Sequence, residues 1–364
     1  MSEAAGQPVL DYSGPRPPTQ PQQQFVKETG TRFGSDKVLR LISAAAAMAI
    51  LLMLILLIGV LVRASIPAVR TFGASFLITT QWRPNALEQN KHDANGNIVM
   101  QDGEIVTETL PPVFGALPVI YGTTVSSILA LGIAIPLSFG AAIFMVRVAP
   151  HWLVPPVSFL IEFLAAIPSI AYGIWGLFVL TPFLQAHVEP RLNQFFGVIP
   201  GLRWLHTDQG TTGRSMFAGG LVLAIMIVPI ITAISRDVLS AVPRAQIEGS
   251  IALGSTWWQS CAEMLKYSRS ALFGAVMLGL ARAAGETMAI TMVIGNNNQI
   301  ASSIFAPAQT MASLLANEFA EASDELHRSA LTTVALILLV MSLAFNVVAR
   351  YLVVGKNARS AAAH

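Results

Sequence analysis

Arg282 and Glu286 lie four residues apart inside an apolar run, Ser270 to Ile294. That run is long enough to cross a bilayer at about 20 residues per crossing. A charge at the bilayer centre costs about 2.5–3.5 kcal/mol on insertion scales, and chains accept that cost where charges pair, face a water-filled path or touch a charged substrate. On one helix the i, i+4 spacing puts both side chains on one face, where they can pair. The flanking residues Gly279, Ala281, Ala283, Ala284 and Gly285 are small, so another backbone can approach this face closely. Arginine's planar fork suits multipoint contact with an oxyanion such as phosphate. A carboxylate beside it repels a fully ionised anion, but it can accept a hydrogen bond from a protonated one such as HPO₄²⁻, or neutralise the arginine while the path is empty. By residue type alone two readings stand: an oxyanion site on a path, or a structural ion pair that locks helices together.

Two further groups stand out. Glu162, in FLIEFLAAIPSIAYGIWG, is about one to one and a half turns from the inner end of its apolar run, at 5.4 Å per turn. It reads as an interfacial or helix-packing carboxylate, and Pro168 as a bend or break in the same span. Residues 235–269 are too polar to span a membrane. Pro243 can open a helix there, and Gly254 divides the segment into two short helices carrying Glu248, Trp257 and Trp258. A helix–Gly–helix hook with exposed aromatics suits a partner's groove; the other reading is an amphipathic segment lying on lipid.

Those residues need a frame, and the composition supplies it. Of 364 residues 54% are hydrophobic and 12% charged, about half the usual charge of a soluble domain at ~25%. The expected class is all-α integral membrane, with six spans near 38–62, 117–146, 157–180, 216–234, 270–294 and 331–354. Outer loops would cover 63–116, 181–214 and 295–328. Lys27, Arg32, Lys37 and Arg40 precede the first span, which places a Pro/Gln-rich tail, residues 1–36, and both chain ends in the cytoplasm. The segment after the last span, 357–364, is expected to be a second short inner tail. In the first outer loop Asp102-Gly103 and Asn95-Gly96 are turn signals, so a small extracytoplasmic hairpin insert with no chemistry is expected at about 89–108.

Several functions are excluded by what is missing. There is no G-x-x-x-x-G-K-[ST] loop for nucleotide phosphates, no H-E-x-x-H and no G-x-S-x-G. One cysteine, Cys261, and six scattered histidines make no metal-ligand cluster. A net charge of +2 is too mild to argue for nucleic acid.

Glu248-Gly249-Ser250-(x3)-Gly254 resembles the E-A-A-x3-G motif of ABC-importer permeases, with Gly and Ser in place of the alanines and Met264-Leu265-Lys266-Tyr267 where I-x-L-P is usual. MLGLARAAGETMAITMVIGN and LAAIPSIAYGIWGLFVL, with FGALPVIYGTTVSS in the outer loop, resemble the phosphate-importer (PstC-type) branch of that family. The resemblance covers about Ile66 to Tyr351 apart from the hairpin. It implies the type I ABC importer permease fold and a plasma-membrane location. It also implies a PstA-like sister permease, a PstB-like ATPase dimer on the 235–269 hook and a PstS-like binding protein that delivers phosphate. ATP and Mg would sit on the ATPase, with no cofactor and no catalysis in this chain. Arg282 and Glu286 would act in transport, and Glu248, Gly254 and Trp257 in ATPase coupling. Rival expectations are a permease for sulfate, molybdate or phosphonate, a secondary transporter or channel, and a non-transporting scaffold or phosphate sensor.

Overall fold

The computed structural model describes residues 33–85, 87–90, 100–101, 104–105, 107–199, 205–207 and 211–361. The chain divides into two units, 1–56 and 57–364. The first contributes the opening turns of helix α1, Phe33–Phe72. The second holds the rest: α2, Leu117–Val148; α3, Val154–Ala166; α4, Ser169–Val198; and α5, Met216–Ser240. Then come α6, Arg244–Ala252; α7, Trp257–Tyr267; α8, Arg269–Ala284; α9, Met288–Val293; α10, Met311–Glu318; and α11, Glu325–Ala361.

Helix α5 is the centre of the second unit. It buries 61% of its most apolar window, whereas α2 buries 28%. Its large residues Leu223, Ile227 and Ile231 pack against Ala130 and Ala134 of α2 and Ala275 and Ala283 of α8. On its other side Val222 and Met226 meet Tyr172, Leu180 and Leu184 of α4 and Ala289 and Val293 of α9. Small-against-large packing of this kind is how apolar helices associate when lipid offers no hydrophobic advantage.

Pro67 lies inside α1, where its ring and missing N–H disturb the ladder. Ser329 of α11 repairs the gap. Ala68 N–H donates to Ser329 Oγ at 2.9 Å, and that hydroxyl donates to the Ala64 carbonyl at 2.8 Å. A side chain inserted into the i to i−4 ladder is a known alternative to breaking a helix. Ser329→Ala is therefore expected to destabilise the assembled protein by about 1–3 kcal/mol, because it leaves a buried donor unpaired. A lowered melting temperature in detergent checks this; an unchanged one removes the hydroxyl's role.

Three nested antiparallel pairs follow α1: β1 (Trp82–Arg83) with β6 (Val113–Phe114), β2 (Leu87–Asn90) with β5 (Thr107–Leu110), and β3 (Met100–Gln101) with β4 (Glu104–Ile105). Met100 opposes Ile105 and Gln101 opposes Glu104, the register that a two-residue connection at 102–103 requires. The turn residues 95–96 and 102–103 themselves, like the tail 1–32, lie outside the described residues. The root of the insert is tied down by aromatic packing. Trp82 and Phe114 meet edge to face at 5.0 Å, and Phe114 stacks on His327 at 5.4 Å. Glu318 Oε2 accepts from Trp82 Nε1 at 2.8 Å and lies 3.1 Å from His327 Nε2.

Five helices among the described residues are long and apolar enough to cross a membrane, one fewer than the six spans expected. The expected span at 157–180 is two helices. Pro168 breaks it, with Ile167 extended (ψ 130°) and Pro168 itself at ψ 137°. The second piece runs on to Val198, so much of the loop expected at 181–214 is helix. Pro182 and Pro190 fall within that expected loop, but each sits in the first turn of a helical segment, where a missing N–H costs little. Wider, π-type turns at Gly176–Leu180 and Leu184–Val188 join those segments into one rod. The expected span at 270–294 is also broken, into α8 and α9. The loop expected at 295–328 contains α10 and the start of α11, and α11 continues through 357–361 of the expected tail.

Candidate functional site

The break between α8 and α9 falls on Gly285, Glu286 and Thr287, beside the arginine and carboxylate. Helix α8 ends with Arg282 in its last turn, a position where a cation meets the negative end of the helix dipole. Arg282 Nη2 lies 3.8 Å from Glu286 Oε2. The pair therefore forms, but across a helix end and not along a continuous helical face. Glu286 is buried, with 5% of its side chain exposed, while 49% of the Arg282 side chain is exposed. Glu286 Oε1 also accepts from Ala289 N–H at 3.4 Å, which ties the carboxylate to α9.

Packing fixes both sides of the break. Gly279 of α8 is buried against Ile231 of α5, where a Cβ would come within 2.6 Å of Ile231 Cδ1. Ala283 and Ala284 are buried as well. The small residues of α8 thus admit large side chains of α5. On α9, Ala289 meets Gly173 of α4, close enough that a Cβ there would lie 2.9 Å from the Ala289 Cα. The freed backbone at Pro168 therefore precedes the helix that α9 packs on. A buried carboxylate holding a half-exposed guanidinium leaves one face of the cation open, and that face can receive an oxyanion.

The hook takes the expected form. Helices α6 and α7 are separated by Gly254 at φ +83°, a conformation that residues with a Cβ rarely adopt. Thr256 and Gln259 make a reciprocal capping box that starts α7, Thr256 Oγ1 accepting from Gln259 N–H and Gln259 Oε1 from Thr256 N–H. Met264 is buried with Leu239, Val242 and Leu272, and Ile247 packs beside them. This leaves Leu253, Trp258 and Glu248 exposed at the turn, Leu253 at 91%. Trp257 packs edge to face on Trp258 at 4.7 Å. Beside the turn a groove of about 900 Å³ runs between α6 and α7.

Glu162 is exposed on α3, and its Oε1 lies 3.8 Å from Nη2 of Arg236 on α5. Arg236 itself donates to Asp237 from both Nε and Nη2. Glu162 thus meets α5 near that helix's C-terminal end, and the structure does not bring it to the Arg282–Glu286 pair. Glu189, which sequence reasoning left in a loop, is fully buried. Its Oε1 accepts from Ser215 Oγ at 2.5 Å and its Oε2 from Gly213 N–H at 3.1 Å. That ties the far end of α4 to the N-cap of α5. No periodicity marks this contact, because the partner arrives from 26 residues away.

Residues 134–355 match the family described as binding-protein-dependent transport system inner membrane component. That range includes every residue of the break and of the hook. The chain is 41% identical over 339 residues to the phosphate transport system permease protein PstC of Mesorhizobium japonicum, covering 92% of this chain and 95% of that one. It is 41% identical to the protein of the same name from Haemophilus influenzae, covering 88% and 95%. Against the one from Pasteurella multocida it is 43% identical over 284 residues, covering 78% and 80%.

Proposed function

The chain belongs to the family of binding-protein-dependent transport system inner membrane components, and from that premise we propose that it is the permease subunit of an ATP-driven phosphate importer. It is a multi-pass membrane protein of an ABC importer complex, which includes a second permease, an ATPase and a binding protein. The finer assignments are the proposal: a PstA-like sister chain, two PstB-like ATPases seated on α6 and α7, a PstS-like protein outside, and both chain ends in the cytoplasm. ATP and Mg belong to the ATPase, and this chain performs no chemistry on phosphate.

The observation that carries the reading is the half-exposed Arg282 held by buried Glu286 at a helix break. A guanidinium cannot be left against hydrocarbon at low cost. A path shared with a sister permease gives it water and substrate. Arg282 attracts the anion, and Glu286 accepts a hydrogen bond from the O–H of HPO₄²⁻ or neutralises the arginine between passages. Closure of the ATPases moves the hook, the hook moves α8 through Met264 and Leu272, and Arg282 is presented to one side and then the other. Reconstituted uptake of phosphate in the presence of sulfate, molybdate or phosphonate tests the substrate; equal transport of any competitor overturns the phosphate assignment.

The strand pairs past the root of the insert take no part in this mechanism. Glu88 and Thr109 oppose each other in the β2–β5 ladder, so a two-residue turn can close the ladder there. Deleting 89–108 with such a turn is expected to leave uptake within about twofold of the full chain, as surface loops tolerate such changes. Loss of capture from the binding protein would assign the hairpin a docking role.

A further inference from the structure

At the root of the insert a second polar feature has no part in the mechanism above. Residues 80–83 and 296–299 line a cavity of about 540 Å³. Both segments belong to loops assigned to the exterior. We propose that this cavity is an outer waiting site for the substrate oxyanion, in which Arg83 supplies the charge and Asn298 accepts a hydrogen bond from the O–H of HPO₄²⁻. The proposal rests on the reading of the chain as a phosphate permease.

The charge of the lining is the first argument. Arg83 is its cation, and the lining contains no carboxylate; the other residues are amides, a hydroxyl and an indole. The nearby acid, Glu318, is engaged by Trp82 Nε1 and His327 Nε2. A concave surface with one fixed cation and neutral amides attracts anions and can bond them without binding cations.

The second argument is two buried atoms. Nη2 of Arg83 donates to the Pro111 carbonyl at 3.1 Å, which anchors the guanidinium. Its Nε is buried with no partner among the described residues, and so is Oδ1 of Asn298. Buried polar groups are nearly always paired, and an unpaired one loses free energy that a partner would recover. Here one unpaired atom is a donor and the other an acceptor. A protonated phosphate carries both acceptor oxygens and an O–H donor, whereas sulfate carries acceptors alone. A protonated phosphate in the cavity therefore carries the two kinds of partner that these atoms lack.

The third argument is position. Asn296 to Gln299 follow directly on α9, and Glu286 precedes it by two residues. The six residues of α9 rise about 9 Å, so one short helix separates this cavity from the charged pair. Gly295 at φ +97° and Asn296 at φ +52° turn the chain sharply there. Asn296 Nδ2 donates back to the Thr291 carbonyl at 2.8 Å, and Asn297 N–H donates to the Ala308 carbonyl at 3.2 Å. The amides are therefore held in place and not trailing from a loose loop.

The test uses the purified importer complex without its binding protein and measures equilibrium binding of [³²P]orthophosphate. In an Arg282→Gln complex, where the inner cation is gone, phosphate binding is expected to persist. Adding Arg83→Gln should weaken it about tenfold or more, the effect of losing one charge-assisted hydrogen bond, and Arg83→Lys should recover part of it. Asn298→Leu should narrow the preference for phosphate over sulfate. Absence of phosphate binding in the Arg282→Gln complex, or binding that ignores Arg83→Gln, overturns the proposal. So does an Arg83→Gln complex that loses affinity for the binding protein while keeping phosphate binding, since the cavity would then be a protein contact. Failure of the phosphate reading itself shows differently, as wild-type proteoliposomes with the full importer that take up no phosphate.

Discussion

Replacing Arg282 by glutamine is expected to lower phosphate uptake by about 30-fold or more while the complex still assembles. The magnitude is that of the charge-assisted hydrogen bond the guanidinium would give the anion, about 1.5–3 kcal/mol. Assembly survives because glutamine keeps the start of the arginine's apolar stem and Glu286 retains its bond from Ala289 N–H. Arg282→Lys keeps the charge but loses the planar fork, and intermediate uptake is expected. The measurement is initial-rate uptake in proteoliposomes, paired with co-purification of the sister permease. The two readings of this pair left open by residue type separate here. A structural lock predicts a lowered melting temperature with normal transport per assembled complex; a path residue predicts the reverse. Uptake at the wild-type rate removes the site.

Reversing the charge of Glu248 is expected to give the second large effect. Glu248 is exposed on α6 and makes no ion pair among the described residues, so Glu248→Lys leaves the fold of the hook intact. Its cost falls on the docked ATPase. Like-charge contacts created in an interface cost several kcal/mol, so retention of the ATPase in a pull-down should fall about tenfold or more. Phosphate-stimulated ATP hydrolysis should fall with it. The control is Leu253, exposed at 91% beside Gly254. Leu253→Asp removes apolar contact without reversing a charge already present, and should weaken docking by a different route. Undiminished pull-down by Glu248→Lys would move the coupling surface away from α6, toward the Trp257–Trp258 pair.

The two predictions probe opposite ends of one mechanical link. The buried residues Leu239, Val242, Met264 and Leu272 join the end of α5, the hook and the start of α8. A movement of α7 is carried to α8 because packed cores shift between discrete arrangements and do not stretch. Arg282 sits at the far end of that same helix, 13 residues on from Arg269 and about 20 Å away at 1.5 Å per residue. In the proposed mechanism, stiffness in α8 makes a cytoplasmic docking event felt at the charged pair. The short, broken segment after it is where the movement can be absorbed.

What the amino-acid sequence determined by itself was the set of local facts. Apolar runs marked α1, α2, α5 and the body of α11, because length and hydropathy are properties of a segment alone. Pro243 and Gly254 marked the hook, because helix starts and left-handed turns are written within a few residues. Asp102-Gly103 set the register of β3 against β4 for the same reason. The chemistry of an arginine and a carboxylate in an apolar run was legible from residue type.

Tertiary structure decided the rest. The i, i+4 spacing of Arg282 and Glu286 suggested one helical face, but α8 stops between them. Gly285 lowers the cost of stopping there, and packing of α8 on α5 and of α9 on α4 recovers what the lost turn gives up. Pro67 falls in the loop expected at 63–116, yet a hydroxyl from residue 329 keeps the helix going there; Pro182 and Pro190 fall in the loop expected at 181–214, and wider turns carry the helix past them. Glu162 found Arg236, and Glu189 found Ser215, across gaps in sequence that no periodicity reports. In each case the deciding partner lies far along the chain, and only packing brings it within bonding distance.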